Sequence, residues 1–308
     1  MPGGGPAGAT LGLLKYLSQS NNNAHCVDPE DRFKFVDDLT ALEIVNLLTV
    51  GMSCYNVKLQ VPNDILEHNQ YIPAENLESQ KYLDTISDWT IRQKMKINQK
   101  KTKSMLFNFT NNHQFTTRLS LNGEIVENVS EIKLLGTIIQ NDLSWNSNTS
   151  RLVKRANARM VLLRKLCEFG APIHDLKTIY VTYIRSILEQ SAVVWHSGLS
   201  EENKQDLSRV QKSACKLILK NNYKDYENAL NILDLETLNE RRHKLCETFA
   251  KKCVTSGTIS FPLIDKSKYI NTRSTDKYIV QHCNTERLKK SAIPNMQRLL
   301  NQLEKPHT

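Results

Sequence analysis

An α+β fold is expected, with strands in the first half of the chain and helices in the second, and three features of the sequence point there. Up to about residue 145, short β-prone runs are broken by turn signals. The sharpest is Asn122-Gly123, a pair suited to a two-residue hairpin. From about residue 147, apolar residues recur at intervals of three and four, the spacing of one helical face. Charge follows the same division: residues 1–150 carry 13 Lys+Arg against 16 Asp+Glu, and residues 151–308 carry 28 against 16. The expected organisation is a partial antiparallel sheet with helices over 1–145, a helical region over 146–256, and a polar C-terminal stretch with one amphipathic helix over 257–308.

Composition narrows the functional classes. The chain has 308 residues, a net charge of +9, 40% apolar and 24% charged residues, enough apolar material for a substantial core and too much for whole-chain disorder. No uninterrupted apolar run approaches the roughly 18 residues of a membrane span, so no membrane partner is expected. The opening MPGGGPAGATLGLL lacks a basic n-region, so no signal peptide is expected. The seven scattered cysteines fit free thiols in an intracellular protein, nuclear or cytoplasmic, better than a disulfide framework. The sequons at Asn108, Asn128 and Asn148 are then coincidental.

Element by element, Gly3–Gly8 reads as a tight loop opening a short helix through Leu17. Phe33, Phe35 and Val36 form a β-prone run ending at Asp37-Asp38, and Thr40–Glu43 has the capping-box pattern. Residues 56–76 read as loop. A helix is expected over about 76–94, then strands at Met95–Ile97, Ser104–Phe109, Phe115–Leu121 and Lys133–Ile139. The helical half has stripes through Leu152–Leu166, Leu176–Leu188 and Leu207–Leu217, a helix near 236–254, and an amphipathic helix over Glu286–Glu304. Arg209, Lys212, Lys216 and Lys220, three and four apart, fall on one helical face. His243, Cys246, Cys253, His282 and Cys283 include metal-ligating types, but Cys246 and Cys253 sit seven apart on a helix pattern, where buried thiols are ordinary. Trp89, Trp145 and Trp195 lie among apolar periodic neighbours and read as core anchors.

Phe35-Val36-Asp37-Asp38 carries the most chemistry. Adjacent carboxylates repel unless a cation compensates, and Mg2+ prefers carboxylate and phosphate oxygens. In two-metal phosphoryl transfer such carboxylates hold ions about 4 Å apart, activating an attacking hydroxyl and steadying the leaving oxygen. Asp-Asp pairs are also common in turns and at helix N-termini. The surroundings favour the first reading: Gly3-Gly4-Gly5-Pro6-Ala7-Gly8, then FVDD, then Asn98-x-x-Lys101-Thr102, then Leu134-Leu135-Gly136-Thr137. In that order they resemble the palm motifs of reverse transcriptases of non-LTR retrotransposons. Tyr180–Trp195 and Leu207–Ala214 look like the region after the palm in these elements. The resemblance covers roughly residues 3–250.

The resemblance implies an RNA-directed DNA polymerase with a partial palm over 1–145 and an all-α thumb and helical extension after it. Asp37 would be a ligand to both Mg2+ ions, with Asp38 weaker or one shell out. Gly5, Pro6 and Gly8 would approach the incoming deoxynucleotide triphosphate, with Ala7 standing where the family has glutamine. Lys101 would face the departing pyrophosphate, or is an ordinary exposed lysine in its basic run. Leu134–Thr137 would seat the primer end, or is plain core. Arg155, Arg159, Arg209, Lys212 and Lys216 are candidate contacts to the RNA template and DNA primer, or a solvated face. The family's upstream catalytic aspartate and fingers precede its glycine loop, and this chain opens on that loop. The expectation is a fragment, impaired or inactive in polymerisation alone. The alternatives are a non-catalytic basic helical module that grips nucleic acid, and a helical interaction protein without a nucleic-acid role.

Overall fold

The computed structural model describes residues 34–35, 38–39, 71–72, 78–92, 94, 97–107, 116–257, 259, 261–263, 277–280, 282–283 and 285–303. The Gly3–Gly8 loop, the helix expected after it, the Thr40–Glu43 cap and Asp37 lie outside them. The described part is mixed helix and strand, mostly helical, and divides into two compact units. One runs up to Leu134 and includes Ile138–Leu143; the other comprises Leu135–Thr137 and the chain from Ser144 onward.

In the first unit, strands are short and pair two by two. β1 (Lys34–Phe35) is antiparallel to β2 (Asp38–Leu39), with Phe35 opposite Asp38, so only Val36 and Asp37 separate the paired residues. β3 (Tyr71–Ile72), in a stretch expected to be loop, pairs parallel with β5 (Thr116–Thr117). β4 (Lys103–Ser104) pairs parallel with β8 (Glu127–Asn128). The expected single antiparallel sheet therefore gives way, among the described residues, to small ladders of both senses. Hydrophobic alternation sets which face a strand buries but leaves its neighbour and direction open.

The Asn122-Gly123 hairpin forms as expected. β6 (Ser120–Leu121) pairs antiparallel with β7 (Glu124–Ile125), and Asn122 and Gly123 take φ of 52° and 82°, the positive values a tight hairpin needs. Helix α1 (Glu78–Arg92) is tied to it: Gln80 both donates to Ser120 O and accepts from Ser120 N at 2.9 Å, and Ser87 Oγ meets Asn122 Oδ1 at 3.0 Å. The expected strand over Lys133–Ile139 is two strands, β9 (Glu131–Leu134) and β10 (Thr137–Gln140), because Leu135 and Gly136 turn the chain at φ 47° and 82°. Glycine takes that conformation freely and leucine only with strain. Leu-Gly is thus a turn, not a strand. The run over Phe115–Leu121 likewise splits into β5 and β6.

The second unit is built from longer helices: α2 (Asn146–Glu168), α3 (Ile173–Ile179), α4 (Ala192–Trp195), α5 (Glu201–Leu219), α6 (Tyr226–Leu233), α7 (Leu238–Thr255), α8 (Glu286–Lys289) and α9 (Ala292–Leu303). The starts of α5, α6 and α7 follow capping chemistry. Ser200 accepts from Asn203 N at 3.2 Å ahead of Glu201 and Glu202, Asp225 accepts from Asn228 N at 2.8 Å, and Thr237 and Glu240 form a reciprocal capping box. The stripe of α2 (Leu152, Ala156, Met160, Leu163, Cys167) is buried and packs on α5, whose Leu207, Val210, Ala214 and Ile218 are also buried. Helix α7 packs on α4 and α9.

Two departures have local causes. The stripe expected over Leu176–Leu188 is not one α-helix: between α3 and a last helical turn at Ser186–Leu188 lies a π-helical segment, Tyr180–Arg185. Thr178, Thr182 and Ser186 each return a hydroxyl to the carbonyl four residues back, competition that bends helices. The amphipathic stretch after Glu286 breaks at Lys290–Ser291, since Pro294 has no N–H and its ring would meet the carbonyl of Lys290 in a continuous helix. Helix α9 carries eight buried residues, and its Asn301 holds the Lys277–Tyr278 backbone through three bonds of 2.9–3.0 Å.

Candidate nucleic-acid interface

Of the residues singled out for nucleotide chemistry, Gly5, Pro6, Gly8 and Asp37 lie outside the described residues, and Asp38 is described only as the β2 backbone opposite Phe35. Lys101 ends a 3-10 turn, Gln99–Lys101, that Asn98 caps by accepting from the Lys101 amide at 3.2 Å. Thr102 Oγ1 donates back to Asn98 O at 3.0 Å. The Asn-x-x-Lys-Thr spacing thus closes one tight turn and leaves the Lys101 side chain exposed. Lys103 is paired with Glu127. Among the described residues no group of three or more His, Cys, Asp and Glu side chains converges as a metal site. Cys246 and Cys253 are buried on α7, and burial pushes their thiols up to about 12 and about 11, the behaviour of core thiols.

The basic candidates of the helical unit fall into two groups. On α2, Arg155 donates to Gln190 Oε1 at 3.0 Å. Arg159 donates to Tyr183 O at 3.1 Å and lays its guanidinium 3.9 Å from the centre of the Tyr183 ring. Each guanidinium group makes one hydrogen bond to the segment that follows α3. Arg151, just before them, donates to Gly136 O and to Asn148 Oδ1, and burial, followed by the charge of Arg155, lowers its pKa.

On α5, Arg209, Lys212 and Lys216 are exposed, on the side away from the buried Val210, Ala214 and Ile218. Arg209 pairs with Asp206. Lys212 Nζ stands 5.0 Å above the Tyr226 ring and Lys216 Nζ 5.4 Å above the Tyr223 ring, cation–π contacts that leave N–H donors free for an anion. The Tyr226 platform is rigid. Its hydroxyl donates to Gln211 Oε1 at 2.8 Å, the same oxygen accepts from Leu238 N at 3.0 Å, and Gln211 Nε2 donates to Glu236 O at 2.9 Å. One fully buried glutamine so joins α5, α6 and the start of α7 beneath the basic face. Lys220 instead donates its ammonium to Cys167 O at 2.5 Å, closing the end of α2.

Spacing identified the cations of α5 but not the tyrosines beneath them, which lie on the following turn and on α6. It also missed Arg164 of α2. Arg164 lines a groove of about 410 Å3 with Asn157, Met160, Ser213, Lys216 and Leu217. Nothing in a sequence shows that the flank of α2 carrying Arg164 lies beside the flank of α5 carrying Lys216.

Inside the unit, charge is handled differently. Arg242 is fully buried. Its Nε donates to His196 Nδ1 at 3.4 Å, its guanidinium lies 5.8 Å from the Trp195 ring, and neither terminal nitrogen has a hydrogen-bond partner. Burial, offset in part by Glu189, lowers its pKa to about 10. Burial, then the Arg242 charge, holds His196 down to about 3, so its imidazole is neutral at physiological pH and is no proton shuttle there. The unit therefore carries exposed cations on α5 and, inside, a charged Arg242 beside a neutral His196. No protein-family model, curated protein or solved structure matches this chain.

Proposed function

We propose that the chain is part of an RNA-directed DNA polymerase of the non-LTR retrotransposon type, and that its helical unit holds the RNA–DNA template–primer duplex by its backbone. One observation carries the reading: Gly3–Gly8, FVDD, Asn98-x-x-Lys101-Thr102 and Leu134–Thr137 follow one another in the order of the palm motifs, ahead of a basic helical half. The carboxylates of Asp37 and Asp38 are hard oxygen donors of the type Mg2+ takes. Bound there, Mg2+ would lower the pKa of a primer 3′-hydroxyl towards the attacking alkoxide and offset the charge on the departing pyrophosphate. Lys212 and Lys216 of α5, seated on tyrosine rings, support a grip on phosphates that reads helix shape rather than base sequence.

The excess of 28 Lys+Arg over 16 Asp+Glu in residues 151–308 favours one second reading, a basic helical module that grips nucleic acid without catalysis. Two measurements separate these readings. Equilibrium binding to an RNA–DNA hybrid should weaken about a hundredfold between about 50 and 200 mM salt, the effect of about four released counterions. Absence of binding at low salt overturns both readings. Mg2+-dependent primer extension that is lost in Asp37→Ala supports the polymerase, whereas extension unchanged by Asp37→Ala ends the assignment of that carboxylate.

A further inference from the structure

The helices α2 and α5 meet along their buried stripes, and one edge of that seam opens as the groove of about 410 Å3. Met160 and Leu217 supply apolar surface, α2 contributes Asn157 and Arg164, and α5 contributes Ser213 and Lys216. All four polar residues are exposed. The groove thus offers two permanent cations and two neutral hydrogen-bonding groups around an apolar base, a donor set suited to a phosphate with a sugar beside it.

Several other cations of the helical unit have partners of their own, whereas Lys212, over its Tyr226 ring, keeps its charge available as Lys216 does. Arg209 is paired with Asp206, Lys204 with Glu201 and Lys177 with Asp234; Arg155 and Arg159 are held by Gln190 and Tyr183, and Lys220 by Cys167 O. Arg164 and Lys216 form no ion pair with another described residue. Lys216 is held over Tyr223, which fixes its stem while leaving its charge available. Glu168, one turn beyond Arg164, is the acidic residue nearest along α2.

We infer that the α2–α5 groove is a phosphodiester-binding site in which Arg164 and Lys216 clamp one backbone phosphate of a nucleic-acid duplex, with Asn157 and Ser213 as neutral partners. This rests on the proposed grip on a duplex and divides the basic residues by role. Arg164, absent from the set that spacing selects, binds the backbone, whereas Arg155 and Arg159 position the segment after α3.

The test compares the salt dependence of RNA–DNA hybrid binding by the full chain and by R164Q, K216Q, R164K and R155Q. R164Q and K216Q should each lower the slope of log affinity against log salt by about 0.9, R164K should retain the slope, and R155Q should match the parent chain. The thermal midpoint of each exposed-residue variant serves as the folding control, and R164K keeps the comparison informative should R164Q lose stability. If the parent chain binds and R164Q and K216Q keep its full slope, the groove assignment is overturned while the duplex reading stands. An R155Q slope lowered as much as that of R164Q overturns the division of roles. A parent chain that does not bind at low salt overturns the duplex reading, and the groove with it.

Discussion

The hairpin region over 78–143 and the helical unit from Ser144 onward are built to different standards. In the first, the described strands run two to four residues, and Leu121, Val126 and Ile139 are its buried apolar side chains among the described residues. In the second, helices of 18 to 23 residues pack around Leu152, Leu163, Trp195, Leu207 and Leu233, each at most 1% exposed. Short ladders rely on turn geometry and a few hydrogen bonds, whereas long amphipathic helices gain from contiguous burial. The basic face of α5 sits on the better-packed region, where Gln211 joins α5, α6 and the start of α7 beneath it, the kind of support a binding constellation requires.

The largest expected effect contrasts the two regions directly. Trp195→Ala removes a fully buried ring and its Nε1 bond to Gln190 O at 3.0 Å, and should cost about 3–5 kcal/mol in urea unfolding. Ile125→Ala, at a side chain 70% exposed on the hairpin, should stay within about 0.5 kcal/mol. Comparable losses at the two sites would break the comparison.

A second effect depends on pH. His196 is held at about 3 in the folded chain and titrates near 6.5 when unfolded. Below pH 6.5 the unfolded state therefore binds the extra proton, and stability falls as pH drops from about 6.5 to about 3. The slope from this group approaches 1.4 kcal/mol per pH unit, about one proton's worth. Unfolding free energies at pH 7, 5 and 4 should fall more steeply for the parent chain than for His196→Gln; equal slopes would remove His196 from the account.

The smallest effect tests the turn. Gly123→Ala meets no atom within 4 Å at its new Cβ, but φ is +82°, so its cost is conformational, about 1 kcal/mol. Hydrogen exchange of the 120–126 amides should speed up about fivefold while α5 is unchanged. Equal acceleration in α5 would mean that the hairpin and the helices open together.

Much of the helical unit was legible because burial repeats with the helical period: Leu152, Ala156, Met160 and Leu163 of α2 and Leu207, Val210 and Ala214 of α5 are buried as expected, whereas at the stripe ends Cys167 and Ile218 are buried in place of the half-buried Leu166 and Leu217, and Thr237–Glu240 supplies a capping box. The Asn122-Gly123 turn was legible because two adjacent positive φ values select that pair. Leu135-Gly136 makes the same demand but hides it inside an apolar run. The hydroxyls of Thr178, Thr182 and Ser186 stand in the sequence but do not by themselves distinguish the π-helical segment at Tyr180–Arg185 from a bent α-helix, and the parallel pairing of β3 with β5 joins residues far apart in the chain, which no local pattern encodes. At the candidate interface, helical spacing placed Arg209, Lys212 and Lys216 on one face, but it could not separate them from Arg155 and Arg159. That distinction lies in the partners Gln190, Tyr183, Tyr223 and Tyr226, two of them supplied by other helical elements.

Photocrosslinking to an RNA–DNA hybrid substituted with 5-iodouracil reports which region of the intact chain meets the duplex. Crosslinked peptides are expected from α2, from α5 and from the Tyr223–Tyr226 segment, diminishing as salt is raised. Crosslinks confined to residues 78–143, or none at low salt, would contradict the proposed grip of the helical unit on the duplex.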